Sequence, residues 1–177
     1  MVMSENIERI KNFQVRYKFF PTDYEYLHPM GENVFFFKMN QGFYNKKDPY
    51  YCVPRFSVDA SKELFCGQSV TYINLQLAYY MGFTTVYLIG MDFSYIIPEE
   101  HMRDGNHIQS TTDDPNHFHK DYFGIGKTYK DPKLDRVMMN YYQAKQSYEA
   151  VGRKIYNASI GGYLEVFERV DYYGLLK

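Results

Sequence analysis

Tryptophan is absent from this sequence of 177 residues, and cysteine occurs only twice, at Cys52 and Cys66. The two cysteines do not form a C-x-x-C pair, so the sequence predicts neither a zinc knuckle nor a framework of disulfides. No stretch reaches the ~20 apolar residues of a membrane-spanning helix, and the first residues lack the apolar segment of a signal peptide. We therefore expect a cytoplasmic protein with reduced thiols and no membrane span.

Net charge is also small. The formal charge is -1 at pH 7 and the pI is about 6.5. Such a chain has no long-range field that would attract nucleic acid or an anionic membrane surface, and neither partner is expected. The length suits one hydrophobic core, so residues 1–177 are expected to form a single domain.

Aromatic residues, in contrast, are abundant, with 20 tyrosines and 14 phenylalanines. A tyrosine hydroxyl needs a hydrogen-bond partner when it is buried. Both a wet cleft lined with tyrosine and a core built from tyrosine fit this composition.

Periodicity and turn residues divide the chain into short elements. Helices are predicted over residues 7–20, 70–81 and 134–151, and strands over 33–37, 85–90, 153–157 and 163–167. The helix at 70–81 is apolar nearly all round and should be largely buried, with Val70, Ile73, Leu77 and Tyr80 marking one face. The apolar strand at 85–90 is typical of a strand covered on both faces. A helix, a short loop and a strand in this order indicate a Rossmann-like three-layer α/β domain with a mostly parallel sheet.

The strand ending at Gly90 leads directly to Asp92. In open α/β sheets ligands bind beyond the carboxyl ends of the strands, so we expect the site in the loop from Asp92 to Tyr122. Asp92 is a candidate acceptor for a sugar or ribose hydroxyl, or a candidate metal ligand. A role in capping a turn fits the same residue.

Four of the five histidines, His101, His107, His117 and His119, lie in this loop. Imidazole can accept a proton from a hydroxyl near neutral pH, and a neighbouring carboxylate can fix its tautomer. His117 or His119 is therefore a candidate general base. An H-x-H metal site with Asp92 or Asp121, and a surface loop with incidental histidines, are the alternatives.

Four segments together resemble a known family. They are GQSVTY at 67–72, YLIGMDFSY at 87–95, DPNHF at 114–118 followed by YFG at 122–124, and YNASIGG at 156–162. The resemblance is to the 6-hydroxymethylpterin diphosphokinase MptE-like domains, which include motility-accessory-factor glycosyltransferases and resemble bacterial sialyltransferases in fold. It extends from about residue 56 to the C-terminus. Nothing before Val34 matches the nucleotide-binding turn of the family, so we expect that half of the donor site to be missing.

The resemblance implies transfer of a sugar from a nucleotide-activated donor, such as a CMP-linked one, to a saccharide or protein hydroxyl in surface polysaccharide or lipopolysaccharide biosynthesis. His117 or His119 would be the base, with Asp92 beside it, and no metal is assigned. The implied contacts to substrate and phosphate are Gln68, Ser69, Tyr95, Asn116, Tyr122, Asn157 and Ser159.

Two alternatives remain. One is a diphosphokinase that needs Mg²⁺ held by Asp92 with Asp113 or Asp114. The other is a non-catalytic module that binds a nucleotide or glycan. An exposed apolar patch on an incomplete sheet would favour a homodimer.

Overall fold

The structure, a computed structural model, describes residues 6–27, 31–117, 119–120 and 122–176. Phe118 and Asp121, both in the predicted site loop, lie outside these ranges. In the described part the chain has a mixed α/β fold with three α-helices: α1 (Ile7–Asn12), α2 (Val70–Tyr80) and α3 (Leu134–Glu149). Short 3-10 helices occupy Thr22–Leu27, Gly42–Tyr44 and Tyr173–Leu176.

The described strands are short and form four small sheets. They are β1 (Lys18–Pro21), β2 (Val34–Phe37), β3 (Met39–Asn40), β4 (Leu64–Phe65), β5 (Thr85–Leu88), β6 (Met102–Asp104), β7 (His107–Gln109), β8 (Thr128–Lys130), β9 (Lys154–Asn157) and β10 (Glu168–Arg169). Strands β1 and β2 pair in parallel, as do β3 and β4, and a third parallel sheet has the order β10-β9-β5. The fourth sheet, β6-β7-β8, is antiparallel. Within the described ranges no sheet closes into a barrel.

The core lies between the β10-β9-β5 sheet and helices α2 and α3. Val86 and Leu88 of β5 and Ile155 of β9 pack against it from the sheet side. Three tyrosines are fully buried there, and each hydroxyl has a partner. Tyr72 donates to the Arg55 carbonyl at 2.8 Å, Tyr148 donates to the Leu75 carbonyl at 2.8 Å, and Tyr141 pairs with the Ser69 hydroxyl at 3.1 Å. Part of the high tyrosine content is therefore explained by a core that contains tyrosine.

The other face of this sheet is open. Tyr87 and Tyr156, on neighbouring strands, stack there with ring centroids 5.5 Å apart, and Tyr87 is 46% exposed. The prediction that the strand at 85–90 is covered on both faces is therefore wrong, and the three-layer arrangement is not confirmed. A strand with one open face usually alternates between apolar and polar residues, but here the open face carries the aromatic ring of Tyr87, so the run has the continuous pattern of a strand covered on both faces.

Helix α2 forms where predicted but buries a different face. Its buried residues are Tyr72, Leu75 and Gln76, whereas Val70 is 69% exposed. Gln76 can be buried because its side chain forms hydrogen bonds with backbone groups, as a neighbouring strand would. Its Oε1 accepts hydrogen bonds from the Ser57 and Phe65 amides at 3.0 Å, and its Nε2 donates to the Phe65 carbonyl at 2.9 Å.

Helix α3 is confirmed with its predicted face, since Val137, Tyr141, Ala144 and Tyr148 are all buried. The first helix is shorter than predicted, because the chain turns into strand β1, where Phe19 stacks on Phe35. None of the helices in the described part has the length and apolar character of a membrane span.

The prediction of a strand at 163–167 is wrong, although burial alternates from Tyr163 to Val166. Leu164, Val166 and Phe167 are buried, but the residues that pair with β9 are Glu168 and Arg169. The backbone carbonyls of this segment are hydrogen-bonded to side chains instead of to a neighbouring strand. Asn157 Nδ2 donates to the Leu164 carbonyl, and Lys145 Nζ donates to the Val166 carbonyl.

Candidate functional site

A cleft of about 840 Å³ opens beyond the carboxyl end of β5, between the N-terminal ends of α2 and α3. Residues 90–96 and 115–117 form two of its walls. Six of the ten predicted site residues line it together: Gln68, Ser69, Asp92, Tyr95, Asn116 and His117. The rule that ligands bind beyond the ends of parallel strands thus leads to a cleft that the described residues form.

The chain between β5 and this cleft is held in an unusual conformation. The Met91 amide donates to the Ser159 hydroxyl at 2.7 Å, and the Tyr163 amide donates to the Asp92 carbonyl at 2.5 Å. Phe93 has a φ of +58°, a left-handed conformation that a bulky residue adopts at a cost of about 1–3 kcal/mol. Such strain is concentrated at functional sites, because the surrounding contacts are needed to impose it.

His117 is paired with a buried carboxylate. Its Nδ1 lies 2.7 Å from Asp114 Oδ2, and the Asp114 side chain is only 2% exposed. A carboxylate accepts from an N–H, so Asp114 places the proton of neutral His117 on Nδ1 and leaves the lone pair on Nε2. In the described part of the chain Nε2 has no hydrogen-bond partner. This is the arrangement of an oriented general base.

Asp114 is itself held as a carboxylate. Burial raises its pKa, but hydrogen bonds from the amides of Asn116 and Phe123 and from His117 outweigh that effect and bring the pKa below its ordinary value. Three donors therefore converge on one side chain. Asp114 carries its charge throughout the neutral range, which keeps it available to orient His117.

Tyr122 and Phe123 enclose the imidazole ring of His117. The ring of Tyr122 stacks on it with centroids 4.2 Å apart, and Phe123 meets it edge-on at 5.3 Å. Tyr122 thus covers the base and does not line the cleft. His119 is exposed and also lies outside the lining, so the geometry favours His117 of the two candidates.

Asn116 joins the two walls of the cleft. Its Oδ1 accepts from the Ile96 amide at 2.6 Å, and its Nδ2 donates to the Ile96 carbonyl at 2.7 Å. The amide thus pairs with Ile96 as a neighbouring strand would. Because both polar ends are occupied, Asn116 shapes the cleft rather than offering a free contact to a ligand.

Asn157 and Ser159 support the wall from behind. Asn157 is fully buried, and its Oδ1 accepts from the Ser159 amide at 2.9 Å while its Nδ2 is bound to Leu164. Ser159 is buried against Met91 through the bond described above. Their side chains are hydrogen-bonded to the backbone, and neither residue lines the cleft.

Tyr95 and Asp92 present free polar groups to the cleft. In the described part of the chain neither the Tyr95 hydroxyl nor the Asp92 carboxylate has a hydrogen-bond partner. Burial, followed by the nearby Tyr129, raises the pKa of Tyr95, so its hydroxyl stays protonated and can donate. Ser69, by contrast, is the N-cap of α2, with Oγ accepting from the Thr71 amide at 3.0 Å.

The residues proposed for a metal do not form a metal site. Asp114 uses its oxygens for His117, Asn116 and Phe123, and Asp113 is exposed. Among the residues that the structure describes, no three His, Cys, Asp or Glu side chains are grouped so that they would hold an ion. The donor set therefore does not fit Mg²⁺ bound by protein side chains alone.

The sequence indicated the site but not its internal pairing. The D-x-x-H spacing of Asp114 and His117 is the one local signal for the pair. His101, by contrast, is buried directly before strand β6, where Nδ1 pairs with the Tyr129 hydroxyl at 2.9 Å and Nε2 with the Thr112 hydroxyl at 3.0 Å. These neutral partners give His101 a structural task.

The chain thus has an α/β fold with a cleft beyond the end of a parallel strand, the position at which open α/β sheets bind ligands, and the cleft is lined by a carboxylate, a tyrosine and an oriented histidine. Residues 2–98, over half of the chain, match the family model described as 6-hydroxymethylpterin diphosphokinase MptE-like, and the chain belongs to that family. Neither the curated proteins nor the solved structures compared with the sequence give a match.

The matched range corrects the bounds of the resemblance. The match includes the residues before Val34, which were expected to lie outside the family pattern, and it ends ahead of the His117 loop. Gln68, Ser69, Asp92 and Tyr95 fall inside it. The Asp114–His117 pair falls outside it and is supported by geometry alone.

Proposed function

We propose that this chain is a glycosyltransferase-like domain that takes a sugar from a nucleotide-activated donor, with His117 as the general base. The observation that carries the proposal is the Asp114–His117 pair, in which His117 uses Nδ1 for Asp114 and lines the same cleft as Asp92 and Tyr95. Membership of the MptE-like family supports a transferase acting on a phosphate-linked substrate. A Rossmann-like arrangement and a cytoplasmic location are parts of the same proposal.

The proposed reaction assigns one task to each free group. Nε2 of His117 accepts the proton of an acceptor hydroxyl, whose oxygen then bonds to the anomeric carbon of the sugar. The bond between that carbon and the phosphate oxygen breaks, and the nucleoside phosphate leaves with the electron pair. Asp114 stabilises the imidazolium that forms, and Asp92 accepts a hydrogen bond from a sugar hydroxyl.

The charges around the cleft favour a nucleoside monophosphate as leaving group. Among the described lining residues there is no lysine or arginine. A leaving phosphate would be stabilised by the Tyr95 hydroxyl and by the N-terminal end of α2, which carries a partial positive charge. These neutral donors suit the small charge of a CMP-type group better than a triphosphate.

The alternatives remain a diphosphokinase, favoured by the family description, and a non-catalytic binding module. Thermal melting separates the first two. Under the proposal, CMP at about a hundred times its dissociation constant stabilises the protein by about 2.7 kcal/mol without divalent metal. Stabilisation by ATP with Mg²⁺ and not by CMP would favour the diphosphokinase.

Catalysis is tested by the release of CMP from a CMP-linked sugar, with water as acceptor. We expect His117→Ala to lower this rate about 100- to 10,000-fold. His119→Ala is the matched control and should leave it unchanged. CMP binding without turnover by the wild type would favour the binding module, and full activity of both variants would remove histidine from the mechanism.

A further inference from the structure

Gln68 holds an unused hydrogen-bond acceptor at the cleft. The residue lines the cleft, yet its Oε1 is shielded from solvent and has no partner among the described residues. Buried polar atoms are nearly always paired, because an unpaired one has lost its hydrogen bonds to water without replacement. Because Oε1 has almost no accessible surface, a group in the cleft can pair with it only when the Gln68 amide turns toward the cleft.

The backbone around Gln68 is fixed on both sides. Gly67 lies so close to Tyr72 and Asn140 that a Cβ there would collide with both side chains. The Gly67 carbonyl also accepts a hydrogen bond from the Tyr44 hydroxyl. Ser69 is held as the N-cap of α2 and by its contact with Tyr141. Gln68 is thus presented to the cleft from a rigid support, as a specificity-determining residue needs to be.

We propose that the Gln68 amide turns into the cleft and selects the donor substrate by accepting, at Oε1, a hydrogen bond from an amino or hydroxyl group of the bound nucleotide sugar. This inference rests on the proposed function. Phosphate oxygens are acceptors and cannot pair with Oε1, so the phosphate contact that the family resemblance implies for Gln68 would have to use its Nε2 donors. The amino group of cytosine, a ribose hydroxyl and a hydroxyl of the sugar share the required chemistry.

The test compares wild type with Gln68→Leu by titration calorimetry. The ligands are CMP, UMP, 2′-deoxy-CMP and a CMP-linked sugar. We expect Gln68→Leu to lose about tenfold to a hundredfold in affinity for the CMP-linked sugar, the range for a buried group left unpaired. If the partner is the base, the wild type should discriminate against UMP and the variant should not. If it is the ribose, the same holds for 2′-deoxy-CMP, and if it is the sugar, only the CMP-linked sugar weakens.

Two further variants keep the test decisive. Gln146→Leu, at an exposed position of α3 outside the cleft lining, is the control and should leave the ligand preferences unchanged. Gln68→Met replaces Gln68→Leu if the latter does not fold. Equal affinities for wild type and the Gln68 variant overturn the role of Gln68 alone. A wild type that binds none of the four ligands overturns this role and the proposed function together.

Discussion

Asp114 Oδ2 receives hydrogen bonds from both the His117 ring, at 2.7 Å, and the Phe123 amide, at 2.9 Å. One oxygen atom therefore orients the proposed base and also fixes the residue that packs on its ring. The replacement Asp114→Asn puts an NH₂ group or a single carbonyl where two acceptor oxygens are needed. We expect the release of CMP from a CMP-linked sugar to fall about 100- to 10,000-fold.

Asp113→Asn is the matched control for that change. Asp113 is adjacent in sequence but exposed, so its replacement should leave the rate of CMP release within about twofold, as is usual for surface sites. Equal losses in the two variants would mean that charge in the loop, and not orientation of His117, determines the rate.

The low pKa of Asp114 makes a second prediction, about stability. Since the folded state favours the charged carboxylate, its contribution is complete above the unfolded pKa of about 3.9 and is lost as the pH falls through the lower folded value. We expect the free energy of unfolding of Asp114→Asn to be about 1–3 kcal/mol below wild type at pH 7. The difference should shrink towards pH 3 in urea titrations. A difference that does not change with pH would contradict the lowered pKa.

Gly162 tests the wall formed by Asp92. Its φ is +79°, and a Cβ at this position would collide with the Asp92 backbone. Gly161 has a similar φ of +76° but open space around its Cβ position. We expect Gly161→Ala to cost about 1–2 kcal/mol of stability from its conformation alone. Gly162→Ala should cost more and should also weaken CMP binding, because the loop must move away from Asp92.

Both glycine variants are to be measured by urea unfolding and by titration with CMP. Equal stability losses in the two, with CMP affinity unchanged, would show that the close approach of Gly162 to Asp92 is not needed for the shape of the cleft.

Gln76 fastens helix α2 to the segment that precedes it. Gln76→Leu would leave the Ser57 and Phe65 amides without acceptors, at about 1–3 kcal/mol for each buried group. We expect a large fall in the urea midpoint. Gln146→Leu, at an exposed position of α3, is the control and should change it little. A Gln76 variant as stable as its control would rule out this fastening role.

The sequence predicted the elements whose signals are local. Ser69 before α2 and the regular spacing of apolar residues in α3 are readable without tertiary structure. The buried face of α2 was not readable, because apolar residues surround the helix and the polar Gln76 is buried through contacts made at Ser57 and Phe65. The short strands β6 and β7 were missed for a similar reason, since Ile108 alone among their residues is buried.

The candidate site was predictable in position but not in detail. The rule for strand ends indicated Asp92, and the density of histidines indicated the loop around His117. The partner of His117 depends on how the loop folds back, because Asp114 is buried by the turn that brings the Phe123 amide to its carboxylate. Asn157 was predicted as a ligand contact, but both ends of its side-chain amide are hydrogen-bonded to the backbone, Nδ2 to the Leu164 carbonyl and Oδ1 to the Ser159 amide.

The Asn116 side chain forms two hydrogen bonds with the backbone of Ile96, as a neighbouring strand would, and these bonds link its own loop to Ile96. One wall of the cleft cannot swing away without breaking both of these hydrogen bonds. The cavity consequently keeps its shape before any molecule enters, and an incoming substrate loses less affinity to the ordering of loops. Discrimination between substrates then depends on fit to a preformed surface.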